Sequence, residues 1–425
     1  MSWAPSRRAV TVGAAAAVVA LATAGVAVWH VDSRYEEIPL YADGIVVDAA
    51  GLPQVVLGDP TAQDDPAHRV EQNLWIERGT VPGPESYADM AEQALRDLDA
   101  LVLPGGAAIA GANPAWRYVW PRDASFTAVA LARTGHTEDA LEVLDYLRVM
   151  QDVTSTGGVF EARYLPDGTG AVPDQRGLQL DGNGWVLWAV AEWYAEAEPG
   201  AQRDADLERL RPLVERSVTA IRSNIDPATG VPGVFSDYWE VRETAPTLGT
   251  LAPLLAGVRA AEPVLEALGE PSAADLEALL SRAVDEEFAP DGYPRHLGGR
   301  HRDTSVAFLM PPFAPLEAEV AEAWTAAAEG MARPGGGLAP GEGWKSDGIS
   351  WTPETAIWAL TAAASGDVEQ AEHWLDWLDE HRTERGALPE KVLWDGSPSA
   401  VAPLAWTAST VLITLDELDR LEETG

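Results

Sequence analysis

The sequence predicts an all-α fold, an (α/α)6 barrel in which six helical hairpins close into a toroid. Three observations carry that expectation. From Pro84 onward, apolar residues recur at three- and four-residue spacing through twelve segments. The connections between these segments alternate between short and long. Finally, the even-numbered segments are apolar nearly all round, whereas the odd-numbered ones are amphipathic with a charged face. A ring of six buried helices inside a ring of six surface helices satisfies all three.

Residues 1–30 come first. Arg7 and Arg8 precede an uncharged Ala- and Val-rich run from Ala9 to Trp29, long enough to span a bilayer. This reads as an export signal or an uncleaved membrane anchor, with the remainder translocated and placed outside the cytoplasmic membrane, secreted or anchored. Ala22-Thr23-Ala24 offers a cleavage site. Residues 31–83 read as an acidic, Pro-containing linker with one short hairpin around 45–58. The barrel occupies 84–425, with helices expected over 85–102, 124–135, 138–151, 183–197, 204–225, 250–269, 273–288, 304–310, 314–330, 354–365, 367–382 and 402–421. Short turns such as Thr134-Gly135-His136 and Ser365-Gly366-Asp367 follow the even-numbered helices. Long segments rich in Gly, Pro and Trp follow the odd ones, at 102–123, 152–183, 225–246, 288–303, 331–353 and 382–403. Alternate connections of a closed ring of hairpins share one end, so six loops should converge on one pocket.

Composition narrows the chemistry. A net charge of −38 over 425 residues leaves nothing to neutralise a polyphosphate, which excludes nucleic acid as a non-specific partner. The absence of cysteine excludes disulfides, thiolate metal sites and a Cys nucleophile. The seven histidines form no metal-binding pair, so neither a metal nor another cofactor is expected. Membrane contact is expected only through the N-terminal segment, and the barrel is expected to be a monomer.

Three long loops hold the residues that could act. In WRYVWPRDASF, Arg122 and Asp123 offer donors and acceptors to a polyhydroxylated ring, and Trp120 offers a flat face to its C–H groups. The same string could instead be an Arg–Asp pair capping a helix. In SDYWEVRE, Trp239 directly precedes Glu240; a carboxyl against an indole is partly desolvated, holds its proton and can serve as a general acid. A surface pair between Glu240 and Arg242 is the plainer alternative. In GALPEKV, Glu390 adjoins Lys391, one of only two lysines, and a neighbouring cation suits a general base. An ordinary exposed loop charge is the alternative there. Two carboxyl groups in one sugar-sized pocket are the minimum for glycoside hydrolysis.

WRYVWPRDASF, the Gln179-Leu180-Asp181 element, the WE of DYWEVRE, and LPEKV followed by DGSPSAVAPLAWTAS resemble, in the same order, the motifs of glycoside hydrolase family 15. The similarity runs over roughly 85–425. The resemblance implies an exo-acting enzyme that releases glucose from the non-reducing ends of α-glucans with inversion; trehalase or glucodextranase specificity in the same family is the alternative. It implies Glu240 as general acid and Glu390 as general base, about 6.5 to 9.5 Å apart. Arg122, Asp123 and Trp120 would hold the terminal glucose, with Asp181 near the acid, where its charge would help keep Glu240 protonated. Trp239, Arg242, Trp344, Lys345 and Trp406 would complete the substrate site. Asp303 leads an inner helix and is either a substrate contact or an N-cap. Trp344, Lys345, Asp347 and Trp351 replace a segment in which the family often has Arg and Gly-Asn-Pro-Trp, and Lys391 stands where a Gln is common. A catalytically silent glycan-binding module is the reading from another class, disfavoured by the presence of both glutamates.

Overall fold

A computed structural model of the chain describes residues 35–154 and 156–424. The expected signal or anchor at 1–30 lies outside them. The inner layer consists of α3 (Pro121–Arg133), α5 (Asp181–Glu196), α7 (Leu248–Ala260), a 3-10 helix at Thr304–Leu309, α11 (Thr352–Ala364) and α13 (Ala405–Thr424). Each packs on the next in that order, and α13 returns to α3, so the ring closes. Every residue of α3 is buried, as is all of α11 except its last. That explains why these segments carry no polar stripe.

The outer layer consists of α2 (Ala88–Leu101), α4 (Thr137–Val153), α6 (Ala201–Ser223), α9 (Ala274–Ala283), α10 (Ala318–Met331) and α12 (Val368–Glu380). In α12 the buried Ala371, Trp374, Leu375 and Leu378 fall at three- and four-residue spacing, facing α11. Aromatics of the inner elements pack on one another: Phe126 lies tilted at 5.1 Å from Trp185 and 4.9 Å from Trp188, and Trp185 lies edge-on at 4.9 Å from Phe308.

Three of the expected helices differ from the observed ones, and in one of them, 273–288, α9 ends at Ala283 and Val284–Phe288 continues as a π-helix. The segment 250–269 is two helices, α7 and α8 (Glu262–Leu268), bent by 45°. Pro263 in the first turn of α8 removes an amide donor and its ring disfavours continuation, so the break falls just before it. The fourth inner segment, 304–310, forms only a 3-10 helix. Asp303 caps it by accepting from the Ser305 amide at 3.1 Å.

Residues 35–83 are more ordered than a linker. β1 (Gly44–Val47) and β2 (Pro53–Val56) form the expected hairpin, and α1 (Pro66–Ile76) follows it. Asp65 caps α1 through the Ala67 and His68 amides, with Pro66 at the first helical position. The helix escapes a periodicity reading because only Gln72, Trp75 and Ile76 are buried. Trp75 stacks on His136 at 3.6 Å and donates to Asp139 at 2.8 Å, which fastens α1 to the turn after α3.

Helices α5 and α7 approach each other backbone to backbone at Gly184 and Gly257. A methyl group at Gly184 would run into the Pro253 carbonyl, and one at Gly257 into the Gly184 carbonyl. Neither neighbour is a flexible side chain, so the helices themselves must separate. Gly184→Ala is therefore expected to destabilise the barrel by ~3 kcal/mol or more, read from denaturant unfolding of the two proteins. An unchanged midpoint would mean that the inner ring is not packed this tightly.

Candidate active site

The inner elements all begin at the same end of the barrel, and a cavity of about 460 Å³ opens there. Five of the six long loops line it, together with the first turns of α3, α11 and α13. The sixth loop, 288–303, lies beneath and acts through Arg295.

The turn carrying Glu240 is held from below. The buried Arg295 guanidinium contacts Asp237 at 2.6 Å, Glu243 at 2.5 Å and Asp303 at 2.6 Å, and lies 3.9 Å from the Trp239 ring centre. Asp237 in turn accepts from the Trp239 amide at 3.0 Å and, through its carbonyl, from the Glu240 amide at 2.8 Å. Glu240 itself takes a left-handed φ of 55°, unusual for a side-chain-bearing residue, at the end of this turn. Its Oε1 accepts from Trp120 Nε1 at 2.7 Å and from Gln179 Nε2 at 3.2 Å, and its Oε2 accepts from Arg176.

Glu390 belongs to a different framework. Strands β3 (Ser350–Trp351), β4 (Lys391–Val392) and β5 (Pro398–Ser399) form an antiparallel sheet, and Glu390 immediately precedes the central strand. Its amide donates to the Val401 carbonyl at 2.8 Å, and its own carbonyl accepts from the Thr352 amide at 3.1 Å. The side chain accepts from Trp116 Nε1 at 3.3 Å and pairs with Lys391 Nζ at 3.3 Å, while that ammonium lies over the Trp351 ring at 4.1 Å.

Of the residues expected from sequence, Trp120, Asp123, Trp239, Glu240, Trp344, Glu390 and Trp406 line the cavity. Arg122 and Asp181 lie behind the wall. Arg122 contacts Asp123 at 3.0 Å and Asp181 at 3.9 Å, and faces the Trp406 ring at 4.7 Å. Asp181 is thus placed against Arg122, and Gln179 is what reaches Glu240. Burial pushes the Asp181 carboxyl up to about 7 against the pull of Arg122, with nearby Asp237 adding to the rise. Burial likewise raises Asp123, opposed by Arg122.

Arg242 is exposed and absent from the cavity wall; the cation on Glu240 is Arg176, from the 152–183 loop. Lys345 is also exposed and off the wall, 5.8 Å from the Trp344 ring centre. The indole that bears on Glu240 through a hydrogen bond is that of Trp120. Trp239 packs edge-on against Trp344 at 4.7 Å, and Trp344 against Trp351 at 5.5 Å, forming an aromatic collar. Asp303 is fully buried as an N-cap and an Arg295 partner, outside the cavity wall.

Sequence reasoning missed a third glutamate. Glu354, in the first turn of α11, is 3% exposed and lines the cavity, and its Oε2 has no hydrogen-bond partner among the described residues. Burial pushes its carboxyl up to about 8, with Glu390 adding to the rise and Arg122 and Lys391 opposing it. In sequence it passes for an ordinary helix-start acid. Trp239, Trp344, Trp351 and Trp406 also carry indole N–H groups with no partner among the described residues. Buried donors and a buried acceptor around flat apolar rings are what a polyhydroxylated ligand can satisfy.

The model of the family Glycosyl hydrolases family 15 matches residues 104–394. An isomaltose glucohydrolase of Kribbella flavida is 27% identical over 343 residues, covering 72% of this chain and 85% of that protein. A wild-type glycosidase structure superposes with a TM-score of 0.65 at 24% identity, covering 79% of this chain and 98% of that one. The glucoamylase of Saccharomycopsis fibuligera superposes at 0.64 with 13% identity, covering 84% and 97%. The last two likenesses speak for the fold, a glucoamylase-like helical barrel.

Glu354 also makes stability depend on pH. Its folded value of about 8 lies above the ordinary 4.5, so between those pH values the folded chain keeps a proton that the unfolded chain has released. Stability from this group is present below pH 4.5 and lost as pH rises toward 8. Glu354→Gln removes the effect. Its unfolding free energy relative to the parent should improve by roughly 3 kcal/mol between pH 5 and pH 8, measured by denaturant titration at both. An equal difference at the two pH values would mean that Glu354 is not buried as described.

Proposed function

The chain belongs to glycosyl hydrolases family 15, and from that premise we propose that it is an inverting, exo-acting enzyme that releases glucose from the non-reducing end of α-glucosides. That it is a glycoside hydrolase follows from the family. The finer reading rests on one observation: Glu240 and Glu390 project into a single aromatic-lined cavity on separate frameworks, each with its own indole donor. The named activity of the Kribbella relative makes isomaltose, a glucose α-1,6-linked to glucose, the first substrate to consider.

In this mechanism the terminal glucose enters until it meets Asp123 and the face of Trp406, with Arg122 fixing the Asp123 carboxyl from behind. The leaving sugar lies in the collar of Trp239, Trp344 and Trp351. Glu240 gives a proton to the glycosidic oxygen as the bond from that oxygen to the anomeric carbon breaks. Glu390 takes a proton from a water whose oxygen bonds to the anomeric carbon from the opposite face, and the configuration inverts. The two carboxyls thus exchange one proton each per turnover, and bulk water restores them.

Glu240 must carry a proton to act, yet it accepts from Arg176 in this arrangement. The Arg176 side chain is 35% exposed and also held by Asp174. It has to leave Oε2 when the glycosidic oxygen arrives. Productive binding therefore includes displacement of this guanidinium.

Glu240→Gln and Glu390→Gln are each expected to lower kcat on isomaltose by at least ~1000-fold while glucose binding, measured by calorimetry, stays within a few-fold of the parent. Near-parental turnover in either variant would refute the assignment of that residue. Loss of binding together with turnover would instead give it a structural role.

A further inference from the structure

Residues outside the matched family region grip the loop that carries Glu390. The stretch 36–41 lies along the edge of the β3–β4–β5 sheet. The Glu36 amide donates to the Asp347 carbonyl at 3.0 Å, Ser399 Oγ to the Ile38 carbonyl at 2.6 Å, the Ala400 amide to the Pro39 carbonyl at 3.1 Å, and the Tyr41 amide to the Ala400 carbonyl at 2.6 Å. Tyr35 stacks on Trp394 at 5.8 Å. Further along, Thr383 Oγ1 donates to the Asp43 carbonyl at 2.5 Å, and Arg385 donates to the Asp59 and Ala62 carbonyls at 3.2 and 3.1 Å. Both ends of the 382–403 loop are therefore tied to the N-terminal segment.

Tyr41 sits where two routes to Glu390 begin. Through the backbone, its amide fixes Ala400, which takes a left-handed φ of 64°, and the adjoining Val401 carbonyl receives the Glu390 amide. Through the side chain, its ring lies 5.7 Å from that of Trp116, whose Nε1 donates to Glu390 Oε1 at 3.3 Å. The Trp116 loop is braced on the same side, since Arg117 donates to the Pro53 carbonyl of β2 at 3.3 Å.

We propose that Tyr41 is a positioning residue for Glu390, which sets the angle of the carboxylate through Trp116 and makes the N-terminal segment a working part of the active site. The inference rests on Glu390 being the water-activating base. A side chain that orients a base acts on the rate of the chemical step, because a small misplacement of reacting atoms costs far more in turnover than in binding. Lys391, Glu354 and Asp123 are other charged groups close to Glu390, and Lys391 pairs with it at 3.3 Å.

The test compares Tyr41→Ala, Trp116→Phe and the double variant of the full chain on isomaltose, with Glu390→Gln as the reference for the base. Tyr41→Ala should lower kcat ~10- to 100-fold with KM changed less than threefold, and Tyr41→Phe, which keeps the ring, should recover most of that loss. In the Trp116→Phe background, Tyr41→Ala should add no more than a further twofold, because both act on the same carboxylate. Tyr41 is 40% exposed, so its truncation should leave the barrel folded, which a melting curve checks. Tyr41→Leu replaces the alanine variant if it does not fold. A kcat within twofold of the parent in Tyr41→Ala, or fully multiplicative losses in the double variant, would overturn the proposal. So would a raised KM at constant kcat, which would make Tyr41 a substrate contact. Parental activity in Glu390→Gln is a separate failure, that of the base assignment itself.

Discussion

The inner helices run in one direction and are buried through their first two turns, so a ligand in the cavity meets them only at their N-terminal ends. Four carboxylates occupy those places: Asp123 on α3, Asp181 on α5, Asp303 before the 3-10 helix and Glu354 on α11. Helix N-termini favour negative charge there through free amides and the aligned peptide dipoles. Burial opposes ionisation. At Asp123, Asp181 and Glu354 burial prevails, and each carboxyl is raised above its ordinary range. Of the four, Asp123 and Glu354 line the cavity beside the indoles, while Asp181 and Asp303 stay behind its wall against Arg122 and Arg295.

Glu240 and Glu390 are supported in different ways. Glu240 ends a tight turn anchored by one buried guanidinium that holds three carboxylates, so its position is set by electrostatics in a low-dielectric interior. Glu390 extends from a small sheet whose ladders come from two long loops and whose edge is filled by the N-terminal segment. The first support is rigid because breaking it would strand buried charge. The second depends on backbone hydrogen bonds from a distant stretch of chain, and so couples residues 36–41 to the pocket.

The alternation of long and short connections was sufficient to place the long loops at one end, because ring closure leaves no other arrangement. It overstated the pocket by one loop, since 288–303 contributes Arg295 from beneath and no wall. Motif residues came together because each sits at a loop–helix junction fixed by the scaffold. What could not be read were contacts across the chain. Arg242 was nearest to Glu240 in sequence, but Arg176, from another loop, is nearest in space. Glu354 looked like an ordinary first-turn acid, and only the burial of α11 shows that it faces a cavity. Helix α1 was hidden because three buried residues make too narrow a stripe, although Asp65-Pro66 was a legible start signal.

The central claim is that Glu390 directs water to the face opposite the departing sugar. An NMR time course of the anomeric protons released from isomaltose tests it most directly, because it reads the configuration of the product before mutarotation. β-Glucose from the non-reducing unit is expected to appear first, with the α-anomer growing in later. Initial release of α-glucose from that unit would mean retention, and Glu390 would then not be a water-activating base.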